Sequence, residues 1–260
     1  MLDRARPRLG RLGSRVLYFP TVGSTNDVAL ALASHLDCEG AVVLADEQTS
    51  GRGRRGRVWF SPPASGLYVS VVLTPARART EVARATRLLT MAAGLALAEA
   101  VEASTGLIAD LKWPNDLHVG GRKLAGILAE ATTAGEAGAP RSVIVGYGVN
   151  VGPMAYPPEL GNRATALEVE LGRPVDRALV LIETLAALAR RYDDLLAGRF
   201  DAILDAWRRR APDSVGARVT WADLSGLRSG FTDGIDDDGA LLVRVGERVE
   251  RIDAGEVTWL

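Results

Sequence analysis

The chain has 260 residues, 47% hydrophobic and 24% charged, and its 31 Lys and Arg against 32 Asp and Glu give a formal net charge of −1. That fits one large domain with a small second one, and it excludes a protein held to nucleic acid by overall charge. A single cysteine, Cys38, excludes an internal disulfide framework and reads as a small buried hydrophobe in a reducing compartment.

Arginines at 4, 6, 8, 11 and 15 without an apolar stretch exclude a secretory signal, leave residues 1–15 as a mobile basic arm and point to the cytoplasm. Residues 16–19 read as a strand, and Ser24 or Thr25 can cap a helix running to residue 36. Two apolar runs, 41–45 and 66–73, read as strands flanking an arginine-rich loop. A long helix over residues 80–104 closes at Gly106. Its most apolar part, 88–101, includes Glu99 and is shorter than the roughly 20 residues of a membrane span, so it reads as a buried core helix. Strands follow at 108–113, 116–119, 124–131 and 142–149, with Pro114 and Asn115 in a tight turn and Gly120-Gly121 in a hairpin. One helix covers 176–197 and a shorter one 200–210. Beyond a boundary at Pro212, alternating runs with turns at 223–226, 236–239 and 246–247 suggest a small barrel of about five strands.

Chemistry concentrates first in Gly51-Arg52-Gly53-Arg54-Arg55-Gly56-Arg57-Val58-Trp59. Glycine lets a backbone approach a ligand closely, and arginine supplies a fixed positive fork matched to phosphate and carboxylate oxygens. An anion is expected there. No Gly-Lys-Ser/Thr ending follows, which excludes a Walker A loop. The segment leads through a turn-rich stretch, 61–65, into a strand, which excludes a dinucleotide fingerprint opening a helix. Strand, loop, strand suggests a flap over a ligand on a sheet. A solvated surface loop or a non-specific nucleic-acid contact would use the same residues, although here the positive charge is local.

Three more segments bear on function. Lys112-Trp113-Pro114-Asn115-Asp116 gives three polar side chains fixed directions around a turn, with an ordinary β-turn as the plain alternative. Lys123 heads the apolar run 124–128, and a lysine on a central strand needs an anion unless it lies at an edge with its ammonium in water. Gly146-Tyr147-Gly148-Val149-Asn150 ends a strand with room for close backbone approach and one amide. The two histidines, His35 and His118, are too few for a histidine-built metal site and read as structural or surface residues.

Ser24-Thr25-Asn26, Gln48, the arginine loop with Trp59, Lys112 to Asp116, Lys123-Leu124-Ala125-Gly126-Ile127-Leu128 and the Gly-x-Gly-x-Asn ending at Asn150 fall in one order across residues 16–150. In that order they resemble the biotin protein ligases, also called biotin-[acetyl-CoA-carboxylase] ligases. The resemblance implies an α+β fold: a catalytic domain, 16–212, with a mixed sheet related to class II aminoacyl-tRNA synthetases, then a small SH3-like barrel, 213–260. It implies a reaction in two steps. Biotin and MgATP give biotinyl-5′-AMP and pyrophosphate, and a lysine of the biotin carboxyl carrier domain of biotin-dependent carboxylases then takes the biotinyl group as an amide.

By the same resemblance Ser24, Thr25, Asn26, Gln48, Arg52, Gly53, Arg54 and Lys123 are biotin contacts. Arg52, Arg54, Arg55, Trp59, Lys112, Asn115 and Asn150 face the nucleotide, Lys123 and Arg54 are catalytic, and Asp116 is a candidate ligand for Mg²⁺. Regulatory family members carry an N-terminal winged helix-turn-helix, for which the 23 residues before Ser24 are too few. An enzyme without specific DNA binding or membrane attachment, monomeric or weakly dimeric, is therefore expected. The loop from Asn150 to Arg163 holds Tyr156 and no tryptophan, so it offers no tryptophan clamp for adenine. A lipoate or octanoyl attachment enzyme is the nearest alternative, against which the intact arginine loop argues. A nucleic-acid-binding protein is the alternative of another class.

Elementary chemistry supports these roles. Joining a carboxylate to a phosphate requires two anions held within bonding distance while charge builds on the phosphoryl oxygens. Two or three charge-assisted contacts of about 1.5–3 kcal/mol each, aimed at the transition state, supply ~10³-fold or more. No nucleophilic side chain is required. Ordering about six loop residues costs roughly 6–12 kcal/mol, against about 8 kcal/mol from a micromolar ligand. The flap, 51–65, is therefore expected to be partly mobile in the free protein and settled mainly by the adenylate.

Overall fold

The computed structural model of the chain describes residues 2–34, 38–132, 142–154, 156–158, 160–223, 226–253, 255 and 257–260. His35 and the expected end of the first long helix at residue 36 lie outside them, as do two residues of the turn expected at 223–226.

Seven strands form the main sheet: β1 (Val16–Val22), β2 (Val42–Gln48), β3 (Gly66–Leu73), β4 (Asp110–Lys112), β5 (Asp116–Val119), β6 (Arg122–Ala131) and β7 (Val143–Asn150). Their spatial order is β1-β2-β3-β7-β6-β5-β4. β1 and β2 run parallel, which requires a crossover, supplied by α2 (Thr25–Ala33); every other neighbour is antiparallel, so the sheet is mixed.

Both faces of the central strands are covered, which is why β3 and β7 are buried at every position instead of alternating with polar residues. On one face Val69, Val71, Val145, Tyr147 and Val149 join the core beneath the helices α3 (Val82–Thr105), α5 (Arg177–Leu196) and α6 (Phe200–Arg209). On the other, Val72 and Ile144 pack with Ala29 and Ala33 of α2. The even-numbered residues between them, Ser70, Gly146 and Gly148, share that second face. α3 has the length and composition of a membrane span, but it is mostly buried inside the protein and ends, as expected, at Gly106 in the left-handed region.

Residues 1–15, expected as a mobile basic arm, instead open with a helix, α1 (Leu2–Leu9). The arginines mask an apolar stripe: Ala5, Leu9 and Leu12 recur at helical spacing and are buried in the main core. Arg8 fixes the other edge, donating from both Nη atoms to the Glu183 carboxylate on α5 at 2.8 and 2.5 Å. A short helix, α4 (Leu167–Leu171), is a further element that the sequence pattern did not announce.

From Val215 a second, antiparallel sheet begins: β8 (Val215–Asp223), β9 (Gly226–Ile235), β10 (Leu241–Val245), β11 (Arg248–Ile252) and β12 (Val257–Trp259), in the order β11-β10-β9-β8-β12. It is fastened to the rest of the chain by Trp113, buried between β4 and β5, whose Nε1 donates to Gly239 O at 3.0 Å, and by Arg87 of α3, which pairs with Asp238 at 2.7 Å.

Candidate active site

A floor of exposed backbone lies on the α2 side of β3, β7 and β6, and glycines make it. A Cβ on Gly146 would stand 2.0 Å from Asn26 Oδ1, and one on Gly148 would stand 2.2 Å from Trp59 Nε1. Gly126, paired with Gly148 across β6 and β7, leaves only 3.0 Å to the same indole. The Gly-x-Gly pattern thus lets Asn26 and Trp59 rest directly on backbone. Trp59 Nε1 is buried and has no hydrogen-bond partner among the described residues.

One end of the floor is a closed polar network. Ser24, Thr25 and Asn26 are buried at the start of α2. Gln48, at the end of β2, accepts from Thr25 N and Oγ1 at 2.8 and 3.0 Å and donates to Ser61 Oγ at 3.1 Å. Ser70 Oγ donates to Asn26 Oδ1 at 2.5 Å. Ser24 makes no side-chain capping bond.

The arginine loop folds over this network as a small hairpin. Arg52 bridges Val58, Gly53 N donates to Arg57 O at 2.7 Å, and Trp59 N donates to Gly51 O at 2.9 Å. Arg52 is clamped by two carboxylates, Asp27 at 2.5 Å and Glu130 at 3.1 Å, and Glu130 also accepts from Asn26 Nδ2 at 2.5 Å. Sequence reasoning missed Glu130, although it lies on the same strand face as Gly126 by the period of two. Ser61 and Ser70 were missed as well. No spacing marks them; only the fold brings them in.

The other end is cationic. Lys123 Nζ lies 2.7 Å from Asp116 Oδ1, a buried oxygen that makes no aligned hydrogen bond, and 5.3 Å from the centroid of the Trp59 ring. Arg54 Nη1 reaches Asn115 Oδ1 at 3.4 Å; burial, then Arg55, push the Arg54 pKa down while Asp116 opposes them. An arginine stays charged at neutral pH even so. Lys112 is half-buried against Trp259 of the second sheet, 5.4 Å from its ring centroid. Arg55 stands apart, exposed, with a positive φ of 57°.

Asn115 and Asn150, expected to face a nucleotide, have internal partners. Asn115 Nδ2 donates to Ile127 O at 2.6 Å, and the buried Asn150 Nδ2 donates to Thr165 O at 2.9 Å. Both amides therefore pin the loops around Lys123. Tyr156 donates to Thr165 O at 3.1 Å and sets its ring 6.5 Å from that of Phe60.

A hydrogen-bonding network beside two lysines and an arginine suits a polar ligand that ends in a carboxylate and meets a phosphate. Residues 18–150, which hold all the named site residues except Trp259, Tyr156 and Thr165, match the model of the biotin/lipoate A/B protein ligases. The chain belongs to the biotin/lipoate A/B protein ligase family. It is 38% identical over 248 residues to the biotin--[acetyl-CoA-carboxylase] ligase of Paracoccus denitrificans, covering 90% of this chain and 96% of that one. It is 35% identical over 248 residues to the bifunctional ligase/repressor BirA of Bacillus subtilis, covering 95% of this chain and 74% of that one. The biotin protein ligase from Aquifex aeolicus in complex with biotin and ATP superposes with a TM-score of 0.80 at 28% identity, over 95% of this chain and 99% of that one. The likeness extends beyond the matched segment, because alignments covering 90–95% of the chain reach into the second sheet.

Proposed function

We propose that this chain activates biotin with ATP to biotinyl-5′-AMP and pyrophosphate, then transfers the biotinyl group to a lysine of a biotin carboxyl carrier domain. The observation that carries the reading is the meeting of Lys123, Arg54 and Lys112 beside the Ser24, Thr25, Asn26 and Gln48 network on a glycine floor. The relatives named as biotin ligases support it.

Biotin's ring enters the polar network, where buried amide and hydroxyl groups reject a ligand that cannot hydrogen-bond. Its carboxylate and the α-phosphate displace Asp116 from Lys123, which holds the two anions together. Arg54, aimed by Asn115, and Arg52 and Gly53 close over the acyl-phosphate, and Trp59 walls the floor. Arg55 and Lys112 face the polyphosphate. Neutralising charge that builds only as the phosphate is attacked accelerates the step, because that contact is stronger in the transition state than before it.

Asp116 fits a magnesium ion that arrives on ATP, held by one carboxylate and phosphate oxygens; no group of three His, Cys, Asp or Glu side chains placed for a metal occurs among the described residues. When bound, such an ion neutralises phosphate charge. We read the main sheet with its helices as related to class II aminoacyl-tRNA synthetases and the second sheet as an SH3-like barrel. The flap, 51–65, is partly mobile in the free protein and settles on the adenylate. Transfer of radiolabelled biotin to a carrier domain in the presence of MgATP tests the whole reaction: incorporation at one lysine supports it, and none overturns it.

A further inference from the structure

We propose that Trp259, on the last strand of the second sheet, is a positioning residue that keeps the Lys112 ammonium clear of carboxylates so that it can take the pyrophosphate leaving group; this rests on the adenylation reading above. The two lysines of the site are held differently. In the β4–β5 register Asp116 stands opposite Lys112, yet its carboxylate closes on Lys123 at 2.7 Å. Among the described residues the Lys112 side chain has neither ion pair nor hydrogen bond; its contact is the face of Trp259 at 5.4 Å.

A half-buried ammonium without a counter-ion is costly, and an aromatic face offsets part of that cost without occupying the N–H donors. A carboxylate partner would instead cancel the charge that a departing polyphosphate needs. The charged groups facing Lys112 are Asp213, Asp116, Arg163 and Lys123, and burial, the largest cause, pushes its pKa down. An incoming polyanion relieves that penalty, and pyrophosphate is the most highly charged small product of the reaction. The same contact gives the second sheet a task, because β12 completes a site otherwise built from the main sheet.

Two measurements on the full chain test this. In steady-state adenylation, Trp259→Leu raises KM for MgATP and the inhibition constant of pyrophosphate by about ten-fold, which is about 1.4 kcal/mol. The KM for biotin changes less than about two-fold, and Trp259→Phe, which keeps a π face, stays within about three-fold of the parent. Equal constants in all three proteins, or a Phe variant as impaired as the Leu variant, overturn the proposal. In the unaltered protein, inorganic pyrophosphate slows acylation of Lys112 by an amine-selective reagent, read by peptide mass spectrometry. Unchanged Lys112 labelling overturns the proposal without help from any variant. Absence of biotinyl-5′-AMP in the unaltered protein would instead overturn the adenylation reading, which labelling does not require.

Discussion

Lys123 and Asp116 form an ion pair at 2.7 Å across β5 and β6, and the Trp59 ring lies on the ammonium 5.3 Å away. The central cation therefore already has a counter-ion, which substrate oxygens must replace. Lys123→Gln lowers the rate of adenylate formation by about 10²–10³-fold. It also destabilises the fold, because the Asp116 carboxylate loses its partner. Adding Asp116→Asn restores melting temperature but not activity. Recovery of activity in the double variant, measured by pyrophosphate exchange, would place the lysine's role in folding.

Glu130 ties the flap to the floor by holding both Arg52 and Asn26. Glu130→Gln keeps the shape and one acceptor but removes the charge. Amide exchange over residues 51–59 then speeds up in the free protein, and biotinyl-5′-AMP leaves faster, an outcome expected of Arg54→Gly as well. Identical exchange and identical retention on a filter would mean that the flap is held by its own hairpin alone.

Tyr147 turns its hydroxyl into the helix-side core, where it is buried without a hydrogen-bond partner among the described residues, and burial pushes its pKa up. Removing an unsatisfied polar atom without changing the ring relieves a desolvation cost. Tyr147→Phe raises unfolding free energy by about 1 kcal/mol. A loss of stability in urea titration would show that the hydroxyl is satisfied in solution.

The two hydrogen bonds from Arg8 hold the Glu183 carboxyl below its usual value of 4.5. A carboxylate depressed in the folded state stabilises above pH 4.5, and that contribution disappears as pH falls through the depressed value. Arg8 is half-exposed, so the pair contributes about 0.5–1 kcal/mol at most. Glu183→Gln is less stable by that amount at pH 7, and the gap closes below pH 4.5. A gap that persists at low pH would assign the anchoring of α1 to Leu9 and Leu12 alone.

Much of this was legible in the chain because each signal is local. The strand–loop–strand order around Arg52 to Arg57 excluded a helix-bound phosphate loop, and the alternation of β7 put Gly146 and Gly148 on one face. Gly106 closes α3 where a left-handed cap was expected. What was not legible depends on distant partners. The arginines of residues 4–15 read as a solvated arm because the helix that packs against α1, α5, lies far along the chain. Neither Glu130 nor Trp259 carries a local signal; only the fold brings Glu130 to Arg52 and Asn26 and Trp259 to Lys112. The internal bonds of the Asn115 and Asn150 amides, to Ile127 O on β6 and to Thr165 O, likewise depend on residues distant in the chain.

The central claim is that cations from the flap and the sheet hold a carboxylate against a nucleotide phosphate. Mass spectrometric detection of biotinyl-5′-AMP after mixing the protein with biotin, ATP and magnesium, without a carrier, tests it most directly. The account predicts about one equivalent of mixed anhydride per chain and its near-complete loss in Lys123→Gln. No anhydride from the unaltered protein, or as much from the variant, would contradict it.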